Sequence, residues 1–252
     1  MINNILSIPN LICCWDFNRE QPFLSYGDYA YTLLEGNGKN EIVGGGILSD
    51  SSVHISESQY LYIPRHLCPA LNLYGPNAAV TVIAWVKRKP KSYSQCEAVA
   101  GIWNETRKQR QYCLFLNIQL YESADQVCGH ISGVGGPTPG QKWCVDVSIG
   151  QKPVPYDEWT FVAFSYDGNE IRSYINGRFD KRDNTNPYRY KEGIFDAGDT
   201  GGDFTVGAVD RLGEMGNFFV GQLGGLAVFD RALTAEEIKV IHAQYPLNKQ
   251  YV

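Results

Sequence analysis

Apolar residues in this chain alternate or cluster over short stretches, which is the pattern of β-strands rather than of long helices. The clearest stretch is 80–86, where apolar residues occupy both alternating positions between a Gly-Pro-Asn turn and a lysine-rich turn. Such a strand has both faces covered and lies inside a sheet. Similar stretches predict further strands over 111–118, 127–132, 159–166, 170–175, 204–209 and 223–229.

Two turn sequences join strands of the second half into antiparallel hairpins. Asp167-Gly168 follows the stretch 159–166, and Asn176-Gly177 follows 170–175. Asp-Gly and Asn-Gly supply the positive φ angles that tight turns require. These stretches therefore predict a meander of antiparallel strands.

One helix is predicted, close to the end of the chain. The Thr234 hydroxyl can cap the first amides of this helix, while the Glu237 side chain reaches back to the backbone of Thr234. Apolar residues at helical spacing follow. The whole pattern predicts an all-β fold with one short C-terminal helix.

Composition supports the same fold and narrows the partners. Aromatic residues make up 13% of the 252 residues, and 26 Gly stand beside 2 Met, which favours strands and turns. A net charge of -5 argues against nucleic acid as a partner, and no apolar run reaches the ~18 residues of a membrane span. No linker or internal repeat divides the chain, so 1–252 is predicted to be one domain; its oligomeric state is left open.

The seven cysteines are an odd number, so they cannot all pair within one chain. None lies in a CxxC motif or a Cys/His cluster with zinc spacing, and we expect reduced thiols in the core. The first nine residues lack the basic start and cleavage site of a signal peptide. Together these features predict a cytoplasmic protein, with a fragment of an exported, extracellular protein as the alternative.

A series of short motifs resembles the laminin G-like, concanavalin A-like family of lectins and glucanases. The motifs are Trp159-Thr160-Phe161-Val162-Ala163, Asn176-Gly177, Phe219-Val220-Gly221 and the stretch from Val228 to Ile238, with Cys14-Trp15-Asp16-Phe17 and Thr81 to Lys87 in the first half. The resemblance implies a jelly-roll β-sandwich of two antiparallel sheets. It leaves function open, because members include lectins, adhesion modules and accessory domains of carbohydrate enzymes.

Two acidic features bear on metal binding. Gly224-Gly225 stand where the family often has acidic residues, which weakens the case for the family's structural calcium site. A Gly-rich loop carries Asp196, Asp199 and Asp203, which could supply oxygen ligands to calcium. The alternative is a solvated turn in which these side chains bond local amides. Calcium is thus the one cofactor that the sequence suggests.

Known hydrolytic motifs are missing from the sequence. Glucanases that resemble this fold carry Glu-x-Asp-x-x-Glu on one strand, and no Glu-x-Asp occurs here. Gly-x-Ser-x-Gly, His-Glu-x-x-His and phosphate-loop motifs are also missing. Any catalysis would need an unfamiliar arrangement.

Two polar segments, 103–110 and 125–130, lead into consecutive predicted strands, and we expect them to lie close together with loops 133–140 and 214–219 at the rim. An aromatic ring packs on a pyranose while amides and guanidinium groups bind its hydroxyls. The candidate ligand-binding residues are Trp103, Asn104, Arg107, Arg110, Tyr112, Gln126, His130, Glu214 and Asn217.

Three functions fit these residues. The first is a lectin-like module that binds a glycan or polysaccharide on the concave face or rim loops. The second is a polysaccharide lyase or glycoside hydrolase, in which Glu105, Arg107, Asp125 and His130 converge, with Glu105, Asp125 or His130 as acid or base. The third is an adhesion module that recognises protein. Against all three, the same residues could be a solvated basic turn, core aromatics and a buried histidine.

Overall fold

The computed structural model describes residues 2–247, except for the side chain of Asn3. Its helices are α1 (Asn3–Leu6) and α2 (Ala235–Gln244), with short 3-10 turns at Arg65–Leu67 and Pro69–Leu71. Its strands are β1 (Leu11–Trp15), β2 (Leu34–Gly36), β3 (Glu41–Gly44), β4 (Ser51–Ile55), β5 (Tyr60–Ile63), β6 (Val80–Arg88), β7 (Glu97–Asn104), β8 (Gln109–Leu116), β9 (Gln126–Ile131), β10 (Val147–Pro153), β11 (Thr160–Tyr166), β12 (Glu170–Ile175), β13 (Arg178–Phe179), β14 (Tyr188–Arg189), β15 (Phe204–Val206), β16 (Val209–Arg211), β17 (Glu214–Gly216) and β18 (Gly221–Phe229).

The strands form two sheets that pack face to face. Sheet A has the order β13-β12-β11-β6-β18-β4-β3, with β1 paired to β18 and β14 paired to β12. Sheet B has the order β10-β9-β8-β7-β15-β5-β2, with the β16–β17 hairpin joined to β7. The named strands pair antiparallel, except that β16 pairs with β7 in parallel. The predicted all-β sandwich with one C-terminal helix is confirmed.

Strand β6 shows how the sequence pattern places the core. Val82, Ala84 and Val86 point into the core between the sheets, whereas Ile83 and Trp85 point to the outer face of sheet A. Helix α2 covers that outer face with apolar side chains. A strand that is covered on both sides has no polar face, which is why the stretch from Val82 to Val86 is apolar throughout.

The predicted hairpin and helix cap are present. Strands β11 and β12 pair antiparallel, and the turn after β12 has Asn176 at φ 47° and Gly177 at φ 70°. At the start of α2, the Glu237 amide donates to the Thr234 hydroxyl at 3.2 Å, and the Thr234 amide donates to the Glu237 carboxylate at 2.8 Å. Both local motifs therefore form as their residues require.

Two strand boundaries differ from the sequence prediction. The stretch 204–209 is not one strand, because Gly207 adopts φ +85° and separates β15 from β16. The segment 103–110 is not a free polar segment, because Trp103 and Asn104 end β7 and Gln109 and Arg110 begin β8. Only the short turn between them is exposed to solvent, as at Arg107.

All seven cysteines are unpaired thiols; six are buried, and Cys96 is partly exposed. This arrangement agrees with the expectation of reduced core thiols. No helix within residues 2–247 is long and apolar enough to cross a membrane. The assignment of residues 1–252 to one domain stays a prediction.

Candidate ligand-binding cleft on sheet B

The outer face of sheet B carries a small apolar cluster of its own. Alternate residues of β8 and β9 point away from the main core, so Phe115 and Cys128 pack there with Trp103 of β7. Val147 of β10 extends this layer. The cluster forms a packed platform outside the sandwich core.

A β-bulge directs Arg110 to this outer face. In the pairing of β7 with β8, Trp103 lies opposite Arg110 and Ile102 lies opposite Tyr112, so Gln111 is an extra residue. Before the bulge, the side chains of β8 therefore point to the opposite faces of the sheet from those that regular alternation would give. As a result, Arg110 lies beside Trp103, whereas Tyr112 enters the main core and donates to the Leu71 carbonyl at 2.8 Å.

A cleft of about 450 Å³ lies over the platform. Three strands supply its floor, and four loop or hairpin segments supply its walls. Its lining residues are Ser94, Gln95, Cys96, Trp103, Glu105, Arg110, Phe115, Ile118, Gln119, Leu120, His130, Trp143, Cys144, Arg211 and Asn217. Five of the residues proposed from the sequence therefore meet in one cavity, namely Trp103, Glu105, Arg110, His130 and Asn217.

Three rings pack against each other in the floor. The His130 ring centroid lies 4.8 Å from that of Trp103 and 5.4 Å from that of Phe115. His130 is only 2% exposed, and its Nδ1 atom has no hydrogen-bond partner. Burial and, to a smaller extent, the positive charge of Arg110 lower the pKa of His130 to about 3. The imidazole is thus neutral at physiological pH.

One carboxylate and one guanidinium group lie above the rings. Trp103 Nε1 donates to Glu105 Oε1 at 3.2 Å, and Arg110 Nη2 lies 3.6 Å from Glu105 Oε2. Arg110 Nη1 also donates to the Gly135 carbonyl at 3.3 Å, but Arg110 Nε is buried without a partner. These contacts hold both charged groups in place and leave the Nε donor of Arg110 unused.

The loop after β8 forms one wall in an unusual backbone conformation. Asn117, Gln119, Tyr121 and Glu122 all adopt φ between 50° and 59°. Non-glycine residues rarely occupy this left-handed region, and such strain concentrates at binding and catalytic sites. Asn217, on another wall, has φ 53°. Both walls therefore contain residues in the left-handed backbone conformation, which the pairing of extended strands does not require.

Trp143 lies at the rim and is 43% exposed. Its ring is 4.9 Å from the Lys142 ammonium group. A tryptophan with so much accessible surface beside a cavity can stack on a ligand. Trp143 was not among the predicted residues, because a lone tryptophan in a loop carries no sign of its exposure.

Gln95 and Arg211 are two further polar wall residues that were not predicted from the sequence. Gln95 Oε1 accepts from the Asn217 amide at 3.1 Å, and Arg211 Nη1 donates to Asn217 Oδ1 at 2.9 Å. No local pattern points to either residue. Arg211 lies in the β16–β17 hairpin, which joins sheet B where Asp210 pairs with Asn104 of β7.

Asp125 and Gln126 do not line the cleft and lie at the opposite end of β9 from His130. In the antiparallel pair of β8 and β9, Tyr112 lies opposite Ile131 and Leu116 opposite Val127, so the start of one strand meets the end of the other. His130 consequently reaches the cleft. Asp125 instead pairs with Arg88 at 2.7 Å, and the Gln126 side chain accepts from the Ala124 amide at 2.7 Å.

Other proposed residues also lie outside the cleft. Asn104 is buried and bridges the turn after β7, donating to Asp210 at 2.9 Å and accepting from the Arg107 amide at 2.8 Å. Arg107 is exposed on that turn. Glu214 lines a neighbouring cavity. Glu105, Arg107, Asp125 and His130 are therefore not brought together.

Two thiols line the cleft. Burial raises the pKa of Cys96 to about 12 and that of Cys144 to about 11. Neither group is a thiolate at neutral pH, so neither has the ionised form that nucleophilic attack requires.

The acidic loop does not gather into a metal site. Asp203 accepts from the Arg65 amide at 2.9 Å and Asp196 from the Gly198 amide at 2.9 Å. Among the described residues, no group of three or more His, Cys, Asp or Glu side chains could hold a metal ion. Asp196 thus makes the local amide bond of a solvated turn, whereas Asp203 bonds the backbone of a residue far from it in sequence. Calcium binding by this loop stays a prediction.

Gly224 and Gly225 have a packing role. A Cβ atom on Gly224 would lie 2.9 Å from the Trp159 ring, and one on Gly225 would lie 2.6 Å from Leu48 and 2.9 Å from Trp85. An acidic side chain cannot fit at either position without displacing these residues.

Comparisons with known proteins agree on the fold. Residues 56–239 match the family model described as the concanavalin A-like lectin/glucanases superfamily. No curated protein matches the sequence. One solved structure with the same fold is domain 4 of AbnA, a GH43 extracellular arabinanase from Geobacillus stearothermophilus in complex with arabinotriose; it has 14% identity and TM-score 0.57, with 92% of this chain and 98% of that chain covered.

Two botulinum neurotoxin structures are also similar. The serotype G binding domain has 12% identity and TM-score 0.63, with 93% of this chain and 51% of that chain covered. The serotype D ligand-binding domain, in complex with N-acetylneuraminic acid, has 11% identity and TM-score 0.56, with the same shares covered. This chain therefore spans about half the length of the neurotoxin domains.

Proposed function

We propose that this chain, which belongs to the concanavalin A-like lectin/glucanases superfamily, binds a glycan in the cleft over sheet B. The observation that carries the proposal is the combination of the exposed Trp143 ring with fixed polar groups in one cavity. The ring offers a stacking surface, and Glu105, Arg110 and Asn217 offer acceptors and donors for hydroxyl groups. Concave sites with a few convergent polar groups are the usual form of small-ligand sites.

The chemistry of the lining residues favours binding over hydrolysis. Most glycoside hydrolases use two carboxyl groups on opposite sides of the bond that they cleave. Among the described residues that line the cleft, Glu105 is the single carboxylic acid. His130 is a weak base, because its pKa is lowered to about 3. The polysaccharide-active alternative therefore lacks an acid and base pair in this cavity.

Two further points support the proposal and its setting. The arabinanase domain and the serotype D neurotoxin domain share the fold, and both were solved with a saccharide bound. The seven unpaired thiols favour a reducing compartment, so we propose a cytoplasmic location for the protein.

A glycan array tests the proposal, with hits measured by calorimetry on the wild type and on Trp143→Ala. We expect at least one saccharide to bind and the substitution to weaken binding roughly tenfold, because truncating an aromatic contact residue costs more than ~1 kcal/mol. Tyr74→Ala is the matched control, since Tyr74 is at least as exposed as Trp143 and lies outside the cleft. We expect that control to bind as the wild type does.

Binding should persist with a chelator, because the acidic loop does not gather into a metal site. An array without hits would overturn the proposal, and so would a saccharide whose affinity falls equally in both variants. Release of reducing ends or unsaturated uronates from bound polysaccharide would replace it with the enzyme hypothesis.

A further inference from the structure

A second cavity of about 370 Å³ adjoins the cleft. Gln95 and Arg211 line both cavities, so their side chains form the shared wall. The second cavity also contains the aromatic ring of Tyr93 and the carboxylates of Glu57 and Glu214. The two cavities together form a groove in which adjacent units of one oligosaccharide can lie on either side of Arg211.

Arg211 is held rigidly on this wall. A Cβ atom on Gly216 would lie 2.8 Å from Arg211 Cδ, so the arginine stem packs directly on the glycine backbone. At the other end, Nη1 donates to Asn217 Oδ1 at 2.9 Å. A guanidinium group fixed at its stem and at one nitrogen loses little further freedom when it binds a ligand.

The charge of Arg211 is not neutralised. Within residues 2–247 it takes part in no ion pair, and its Nε atom is buried with no hydrogen-bond partner. A buried donor on a charged group is costly to leave unpaired. Arg211 is therefore equipped to bind an acceptor that comes from outside the chain.

The first cavity has an excess of positive charge. Arg110 and Arg211 stand against one carboxylate, that of Glu105, and the buried His130 is neutral. Glu105 lies 3.6 Å from Arg110, so the remaining charge belongs to Arg211. This local sign is opposite to the net charge of -5 for the whole chain.

We propose that the first cavity selects a saccharide unit with an acidic substituent, which Arg211 binds with support from Arg110. This inference rests on the proposed glycan binding. A guanidinium fork matches the oxygens of a carboxylate or a sulfate. Glu57 and Glu214 line the second cavity and repel a second acidic group there. We therefore expect the saccharide unit in that cavity to be neutral.

The test uses matched pairs of glycans, in which sialylated, uronate-containing and sulfated probes each stand beside the neutral parent. We expect an acidic probe to bind at least tenfold more tightly than its parent, with the difference shrinking as salt rises. Whether the carboxylated or the sulfated probes bind identifies the group. The Arg211→Gln variant should lose this preference and still bind the parent.

Arg189→Gln is the control, because it removes the same charge from a side chain in sheet A that is 87% exposed. We expect this control to keep the preference, and thermal melts of both variants are to check that they fold. Equal affinity for acidic and neutral members of every pair would overturn charge selection and leave glycan binding intact. Failure of every probe to bind would overturn both proposals.

Discussion

Arg88 joins the two sheets through a buried ion pair. It ends β6 of sheet A, and Glu97, which begins β7 of sheet B, accepts from its Nη2 at 2.7 Å and from its Nε at 3.2 Å. Its Nη1 donates to Asp125 at 2.7 Å and to the Val154 carbonyl at 3.1 Å. The Arg88 side chain is fully buried and that of Glu97 is 1% exposed, so each charge depends on the other.

We therefore expect Arg88→Met to be strongly destabilising. The substitution keeps an apolar stem but leaves the Glu97 carboxylate buried and unpaired, which costs ~3–5 kcal/mol of unfolding free energy. For a chain of this size that cost lowers the melting temperature by roughly 6–20 °C. Urea unfolding followed by circular dichroism measures the loss, with an unchanged m-value as the sign that only stability has changed.

The double variant Arg88→Met/Glu97→Gln separates the unpaired charge from the lost packing. We expect it to recover at least half of the loss, because the remaining partner, Asp125, is partly exposed and can be hydrated. Lys89→Met is the control, since its ion pair with Asp157 is exposed and worth at most ~1 kcal/mol. The reasoning is refuted if Arg88→Met costs no more than Lys89→Met, or if the double variant is as unstable as the single one.

Two further predictions concern packing and protonation. Gly225→Ala should cost ~1–3 kcal/mol, because the new Cβ meets Leu48 and Trp85. Gly136→Ala should change stability little, because the nearest atom to its new Cβ is the Val134 carbonyl oxygen at 4.0 Å, and calorimetric melts that rank the two variants equally would contradict this. Stability should fall as pH drops below ~6.5, because the unfolded chain protonates His130 while the folded chain, with a His130 pKa of about 3, does not. His130→Gln should flatten that dependence in urea titrations between pH 7 and pH 4, and an unchanged slope would argue against it.

Local patterns predicted those parts of the fold that local interactions determine. The apolar run of β6, the Asn176-Gly177 turn and the Thr234 cap each lie within a few residues, so the sequence shows them directly. The split of 204–209 was missed, because a single glycine does not reveal its φ angle in advance.

The cleft was predictable only in part. Trp103, Arg110 and His130 meet because β7, β8 and β9 are neighbours in the chain and in the sheet. Asp125 was placed too close to them, because consecutive antiparallel strands begin at opposite ends. Arg211 reaches the wall from a hairpin about 80 residues from β9, and contacts of that range have no local signature.

The floor and the walls of the cleft have separate structural origins. The floor belongs to three adjacent strands whose backbone bonds and platform packing hold it. The walls come from the segments around 94–96, 117–120, 143–144 and 211–217, which lie outside these three strands. Each wall segment can therefore change in length or sequence during evolution while the sheet keeps its register. Loop exchange between related proteins would transfer ligand preference, which makes this face a scaffold for engineering new binding specificities.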